Sequence, residues 1–330
     1  MHLAGVIIVI FVAMFFAYTN GFHDAANAIA TSVSTRALTM RSALLMAAVF
    51  NLAGSFLGAK VAKTITDGII QPAGHGLTIV FAAVVGAIAW NLLTWGLGLP
   101  SSSSHALIGG MVGAALASQS TVLWWSGVVK KFLIPTLLSP IVGVILGYLV
   151  MLALLWLFRR ANPGKVTRGF RRAQTVSAAA MAFGHGLQDT AKTMGIVVLA
   201  LVTGGVQSSN HIPLWVFFAS AAVMALGTYS GGARIIRTLG RRIIELDPPH
   251  GFAAETTASS VLYVAGVVLG APISTTHTIT SAIMGVGATK RLSAVRWGMA
   301  GNIAAAWLFT LPGAGLVAAA VLAILRPFVF

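Results

Sequence analysis

Two polar motifs each occur twice, in the same order, in a chain that is otherwise strongly apolar. Asn20-Gly-Phe-His-Asp24-Ala-Ala-Asn27 is matched by His185-Gly-Leu-Gln-Asp189-Thr-Ala-Lys192, and Pro100-Ser-Ser-Ser-Ser-His105 by Pro272-Ile-Ser-Thr-Thr-His277. The two pairs are displaced along the chain by nearly the same number of positions, the mark of an internal duplication. Of only six acidic residues, Asp24 and Asp189 fall at equivalent places in the repeated motif, inside or at the edge of apolar segments. A carboxylate there costs at least about 2.5 kcal/mol on insertion scales and is retained for a task, with a cation or proton as its partner. The plainer alternative is a structural partner for a nearby basic group, or a helix end at the interface.

Asn27 follows Asp24 by three residues on one helical face, so a carboxylate oxygen and an amide oxygen can converge on a hard cation such as sodium. The second copy carries Lys192 at that place. Its ammonium could stand where a sodium ion would bind, pair with Asp189 and offer a fixed positive charge to an anion. That half would then need no metal ion, and coupling would pass to a proton on Asp24, Asp189 or a motif histidine. Otherwise Lys192 reaches toward the interface, as snorkelling lysines do.

The runs Ser101–Ser104 and Ser274–Thr276 each follow a proline and precede an apolar segment. Hydroxyls in that position cap helix starts and leave backbone N–H groups and the positive dipole end facing outward. Two such ends meeting at a repeat interface would form a neutral, multi-donor cradle for a tetrahedral oxyanion, whereas either one alone reads as a simple cap. The four motif histidines, His23, His105, His185 and His277, are either proton carriers or buried hydrogen-bonding residues. Glu255 heads the apolar segment that leads into the second proline motif and has no acidic counterpart in the first half, which makes it a candidate proton site.

The elements that must position these residues are membrane helices. The chain is 57% hydrophobic and only 8% charged, with a mean hydropathy of +0.90, which excludes a water-soluble domain. No Asp, Glu, Lys or Arg occurs between Asp67 and Lys130, from Thr193 to Ala233, or from Thr256 to Thr289. Runs this long are helical, since barrel strands alternate in segments of about ten residues. Spans are expected near residues 3–19, 42–59, 77–98, 132–158, 175–204, 212–230, 254–270 and 298–325. The fold class is thus an all-α polytopic membrane protein of two related repeats, each with a polar-motif helix and a re-entrant helical hairpin. The hairpins are placed at Ala106–Ala117 and Thr278–Ala288, which are too short to cross the bilayer.

The net charge of +15 does not point to nucleic acid, because the basic residues cluster between apolar spans. Arg159, Arg160, Lys165, Arg168, Arg171 and Arg172 form one cluster, and Arg234, Arg237, Arg241 and Arg242 another; the positive-inside rule makes both cytoplasmic. The first cluster, with its Asn162-Pro163-Gly164 turn signal, is read as a linker over 159–173 between repeats spanning 1–158 and 174–330. Leu3–Tyr18 lacks a basic start and runs straight into the first motif, so it reads as a span and not as a leader. No cysteine is present, which removes disulfides and thiolate metal sites.

The residues from Gly21 to Thr31 and from His185 to Thr193, with Pro100–His105 and Pro272–His277, resemble the signatures of the inorganic phosphate transporter (PiT) family, in its bacterial low-affinity form. The resemblance runs from about Tyr18 to Leu311. It implies a cation-coupled symporter, not an enzyme, that imports inorganic phosphate across the inner membrane with no resident cofactor. It places phosphate among Ser102, Ser103, Ser104, Ser274, Thr275 and Thr276, with Lys192 adding positive charge. Coupling falls to Asp24, Asn27 and Asp189, joined by His23, Gln188 and Glu255, with Asp24, Asn27 and Asp189 as metal ligands if sodium is the ion. Sodium-driven members usually show Asn-Asp-x-x-Asn in both copies. His23, Gln188 and Lys192 depart from that pattern and make the chain more like the members regarded as proton-coupled, some of which move a metal–phosphate complex.

Partners are therefore phosphate, a coupling cation and lipid, with self-association left open. The alternatives are a sulfate permease of the same fold, a sodium-coupled symporter, a channel, and an intramembrane hydrolase using the Ser101 run with His105. The hydrolase is disfavoured by the twinned motif and by the lack of a Gly-x-Ser-x-Gly elbow.

Overall fold

A computed structural model describes residues 2–71, 76–231 and 233–329; the side chains of Arg234 and Arg241 lie outside the described residues. The first half comprises α1 (His2–Ser34), α2 (Met40–Ser55), α3 (Ala59–Gly68), a short β1 (Ile70–Gln71), α4 (Gly76–Leu97), α5 (Ser103–Ala117), β2 (Thr121–Val122) and α6 (Ile134–Leu157), the last preceded by a π-helical segment at Trp124–Leu133. The second comprises α7 (Pro163–Thr203), α8 (Leu214–Ser230), α9 (Ala233–Arg237), α10 (Pro248–Tyr263) with a π-helical extension to Leu269, α11 (Thr275–Ala288) and α12 (Trp297–Val329).

The halves interlock by exchanging equivalent partners. Helix α1 packs on α8 as α7 packs on α2, α1 on α4 as α7 on α10, and α5 on α12 as α11 on α6. Helices α1 and α7 run antiparallel. Val6 lies against Gly204 at one end, and Thr35 donates to Gln174 Oε1 at 2.7 Å at the other. With the exposed arginines that flank the start of α7 taken as cytoplasmic, α1 begins on the outer side, an orientation the charge pattern leaves undecided. Two antiparallel motif helices with swapped partners make the repeats inverted.

Each half contains a hairpin broken at its tip. Helices α4 and α5 are joined by the non-helical residues 98–102, and their far ends return to one place, where β1 pairs with β2 in the register Ile70 to Val122. Helix α10 and its extension are joined to α11 by residues 270–274, where Gly270 turns the chain at φ 60°. The ends of this second hairpin are stapled as well. Lys290 reaches Asp247 Oδ2 at 3.0 Å, Asp247 Oδ1 pairs with His250 at 2.6 Å, and Lys290 donates to Glu245 O at 3.0 Å. Burial pushes the Asp247 carboxyl up, but the bonds from His250 and Lys290 outweigh it and hold the group below the usual carboxylate range. The base of the first hairpin lies by Gly204, where Leu77 packs, and that of the second by Phe170 and Gln174, which Phe252 and Gly251 meet. The two hairpins thus enter from opposite ends of α7 and meet near its middle.

This corrects the span count. Five helices among the described residues are long and apolar enough to cross a membrane, or six if α2 and α3, bent by 67°, form one span, against the eight expected. The segments expected as crossings at 77–98 and 254–270 are α4 and α10 with its extension, two of these five, and each is followed by a non-helical turn and a shorter helix, α5 or α11, that packs back on it. The segment 175–204 is the inner part of a 41-residue helix whose polar motif lowers its hydropathy. The basic segment 159–173 is, from Pro163 onward, the first turns of that helix, with Asn162 as its N-cap.

Close approach of the motif helices depends on glycine. A Cβ on Gly186 would lie 2.1 Å from the carbonyl oxygen of Asn51 on α2, and one on Gly21 2.6 Å from Met224 O on α8. Small residues let membrane helices approach in this way. Gly186→Ala is expected to lower the detergent melting temperature, while Gly169→Ala, in the same helix at a position with nothing within 4 Å, does not lower it; equal melting of both would contradict this packing.

Candidate functional site

The tips of both hairpins and the motif segments of α1 and α7 converge. Asp24, His185 and Asp189 each offer a ligand atom within 4.8 Å of the others, all buried. Around Asp24, Oδ1 lies 2.8 Å from His23 Nδ1 and accepts from Thr276 Oγ1 at 3.4 Å, while Oδ2 accepts from Ser103 Oγ at 2.7 Å. One hydroxyl comes from each hairpin. His23 Nε2 turns away toward Thr94 at 3.2 Å and Ser101 at 3.3 Å.

Asp189 is held differently. Lys192 Nζ lies 2.5 Å from Oδ1, His185 Nε2 lies 2.9 Å from Oδ2, and Thr275 Oγ1 donates to Oδ2 at 3.4 Å. The lysine is 1% exposed, so it pairs inside the protein and does not snorkel. His185 Nδ1 in turn meets Asn51 Oδ1 at 3.1 Å, and Asn51 donates to Thr228 Oγ1 at 2.9 Å. Asn27 spans the two carboxylates, its Nδ2 donating to Thr275 at 3.2 Å and Thr276 at 2.8 Å, while its Oδ1 is buried without a protein partner.

The remaining hydroxyls act on backbone. Ser102 caps α5 by accepting the His105 N–H and also meets His105 Nδ1 at 2.6 Å; Ser274 caps α11 through the His277 N–H at 3.1 Å. Ser104 Oγ donates to Ile273 O at 3.1 Å, tying one tip to the other. Two helix N-termini therefore meet beside Asp24 and Asp189, bringing positive dipole ends and hydroxyl donors together.

Two expected site residues sit apart. Gln188 touches neither carboxylate. Its Nε2 bonds Leu262 O at 3.4 Å and Ala271 O at 3.3 Å and its Oε1 accepts the Ile273 N–H, so it splints the broken second hairpin. Glu255, on α10, lies beside Thr31, two turns along α1 from Asp24, and receives Thr31 Oγ1, Ser177 Oγ at 2.5 Å and Gln174 Nε2 at 3.2 Å; it is fully buried and these side-chain partners are all neutral. Conversely, His185, which the sequence offers only as one of four motif histidines, pairs directly with Asp189, its spacing of four putting both on one helical face. Asn51 carries no local signal, because its role arises from packing between distant segments.

Hairpins from opposite halves that close over paired, buried carboxylates are the plan of a membrane transporter. The chain belongs to the phosphate transporter family, which it matches over residues 20–318. It is 49% identical over 311 residues to a probable low-affinity inorganic phosphate transporter of Rhizobium meliloti (strain 1021), covering 93% of this chain and 92% of that one. A protein of the same description from Bacillus subtilis (strain 168) is 44% identical over 310 residues, covering 93% and 92%. A solved structure described as the sodium-dependent phosphate transporter superposes with a TM-score of 0.89 at 25% identity, over 98% of this chain and 99% of that one. Membership agrees with the expected inorganic phosphate transport and with a multi-pass membrane location.

Removing one member of a buried ion pair strands the other charge at a cost of about 3–5 kcal/mol. Lys192→Met alone is thus expected to depress thermal stability more than Lys192→Met combined with Asp189→Asn. A double variant as unstable as the two single losses added together would show that the pair is not coupled.

Proposed function

We propose that the protein imports inorganic phosphate by proton-coupled symport across the inner membrane, through one occluded site between two inverted repeats, 1–158 and 174–330, joined by 159–173. Ser102, Ser103, Ser104, Ser274, Thr275 and Thr276 and the two helix N-termini hold the oxyanion, with Lys192 as a fixed positive charge. Asp24, His23 and Asn27 carry the coupling step. Asp189 anchors Lys192, Gln188 supports the second hairpin, and Glu255 is a further proton-bearing group on the cytoplasmic side of Asp24.

The observation that carries the proton assignment is the buried Lys192–Asp189 pair: a tethered ammonium stands where the second copy of the motif would otherwise offer an amide oxygen to a metal ion. The coupling follows from competition for donors. Ser103 and Thr276 donate to ionised Asp24. A proton on Asp24 removes its charge, and these hydroxyls can turn to phosphate oxygens. Without that proton, anion and carboxylate contend for the same hydroxyls in a water-poor site, where their repulsion is weakly screened.

A sodium-coupled reading is favoured by the structural neighbour, described as sodium-dependent, and by the Asp24–His185–Asp189 cluster, to which Asn27 Oδ1 could add a ligand. Radiolabelled phosphate uptake into proteoliposomes separates the two. Uptake is expected to follow an imposed pH gradient and to ignore a sodium gradient; sodium-driven uptake would favour the second reading. Asp24→Asn is expected to remove gradient-driven uptake with the protein still in the membrane, and full transport by that variant would exclude Asp24 from coupling. Sulfate in excess is expected to leave phosphate uptake intact.

A further inference from the structure

The paired motif histidines have no part in the scheme above, yet they lie where the two hairpins touch. His105 is the third residue of α5 and His277 that of α11, and the backbone N–H of each is capped by the serine three residues before it. Their rings face one another with centroids 4.4 Å apart and planes tilted by 31°. His277 also stacks on Trp307 of α12, at 3.9 Å and 28°, and His105 meets Phe132 edge-on at 5.0 Å. Trp307 in turn donates its Nε1–H to Pro100 O at 3.0 Å, which fixes the tip of the first hairpin to the helix that supports the second histidine. The result is a continuous row of four rings, Phe132, His105, His277 and Trp307, drawn from both halves and crossing directly behind the capping serines.

Among the described residues no carboxylate pairs with this row. Both histidines are 4% exposed, and His277 Nε2 is buried without a protein partner. The ion-pair contacts at the site use His23 and His185 and leave these two out. The ionisable groups of the motif helices beside the tips are Asp24, His23, His185, Asp189 and Lys192, and the two carboxylates already have partners. Two face-to-face imidazoles attract as neutral aromatic rings and repel once both are charged.

We propose that His105 and His277 are positioning residues: a neutral aromatic joint that sets the separation of the two hairpin tips, and hence of the two N-terminal oxyanion cradles. They are not carriers of the coupled proton. His105 has a second task, since its Nδ1 contact at 2.6 Å orients the Ser102 hydroxyl beside the cradle. The inference rests on the reading that the tips hold phosphate.

The test is phosphate transport in proteoliposomes by His277→Phe, His277→Gln and His277→Ala, with KM and kcat measured separately across pH. The Phe variant keeps the ring, and is expected to keep KM within a few-fold and an unchanged pH profile. The Gln and Ala variants lose the stack, and are expected to raise KM by roughly tenfold, the size of a lost aromatic contact, with a smaller change in kcat. Loss of pH-driven net uptake in the Phe variant, with phosphate exchange retained, would make His277 a proton carrier and overturn the joint. A Gln variant indistinguishable from the parent would overturn it as well. Thermal unfolding in detergent shows that the variants fold. A Ser103→Ala, Thr276→Ala double variant with unchanged KM would instead remove the underlying phosphate site, so the two failures are distinguishable.

Discussion

Two carboxylates buried in the middle of a membrane protein must be satisfied by the protein itself, and the rest of the structure is arranged around that requirement. Water cannot do it at this depth, and an isolated ionised group would be too costly. Asp189 is satisfied permanently, by a lysine one turn away and a histidine on the same face. Asp24 is satisfied conditionally, by a neighbouring histidine and by one hydroxyl from each hairpin tip. On the proposed reading, this difference makes one half of the site a fixed electrostatic anchor and the other the place where a proton and an anion exchange donors.

The inverted topology is what allows this. A hairpin can end in the centre of a membrane protein only if its non-helical tip is wrapped in polar partners. Here each tip is wrapped by the other half: Gln188 of α7 splints the break after Leu269, Ser104 bonds Ile273, and Trp307 of α12 bonds Pro100. The bases of the hairpins lie at opposite ends of α7, and each is stapled on its own side. At the cytoplasmic base that staple is Asp247 with His250 and Lys290.

Much of this is legible in the sequence, for definite reasons. Charge-free stretches declare membrane helices, and duplicated polar motifs declare both the repeat and its site, since polar residues in lipid are kept only where they are used. Asp24, Asn27, Asp189, Lys192 and the hydroxyl runs are found in one place, as their spacing and chemistry imply. What cannot be read is anything that depends on which segments meet. Helix α4 has the length of a crossing, and only the pairing of β2, after α5, with β1 shows that α4 and α5 return to one place as a hairpin. Gln188 lies beside Asp189 in sequence but on another face of the helix, so its amide goes to the broken backbone. Glu255 lies near the second hairpin in sequence, yet its partners come from α1 and α7. Asn51 enters the Asp189 network through packing of α2 on α7, which no local pattern encodes.

The most direct measurement is a high-resolution cryo-electron-microscopy structure of the protein in lipid with saturating phosphate at acidic pH. The expected result is one tetrahedral density between the starts of α5 and α11, within hydrogen-bonding distance of Ser103 and Thr276, with both hydroxyls turned away from Asp24. Phosphate bound elsewhere, or hairpin tips too far apart to share one anion, would contradict the single shared site.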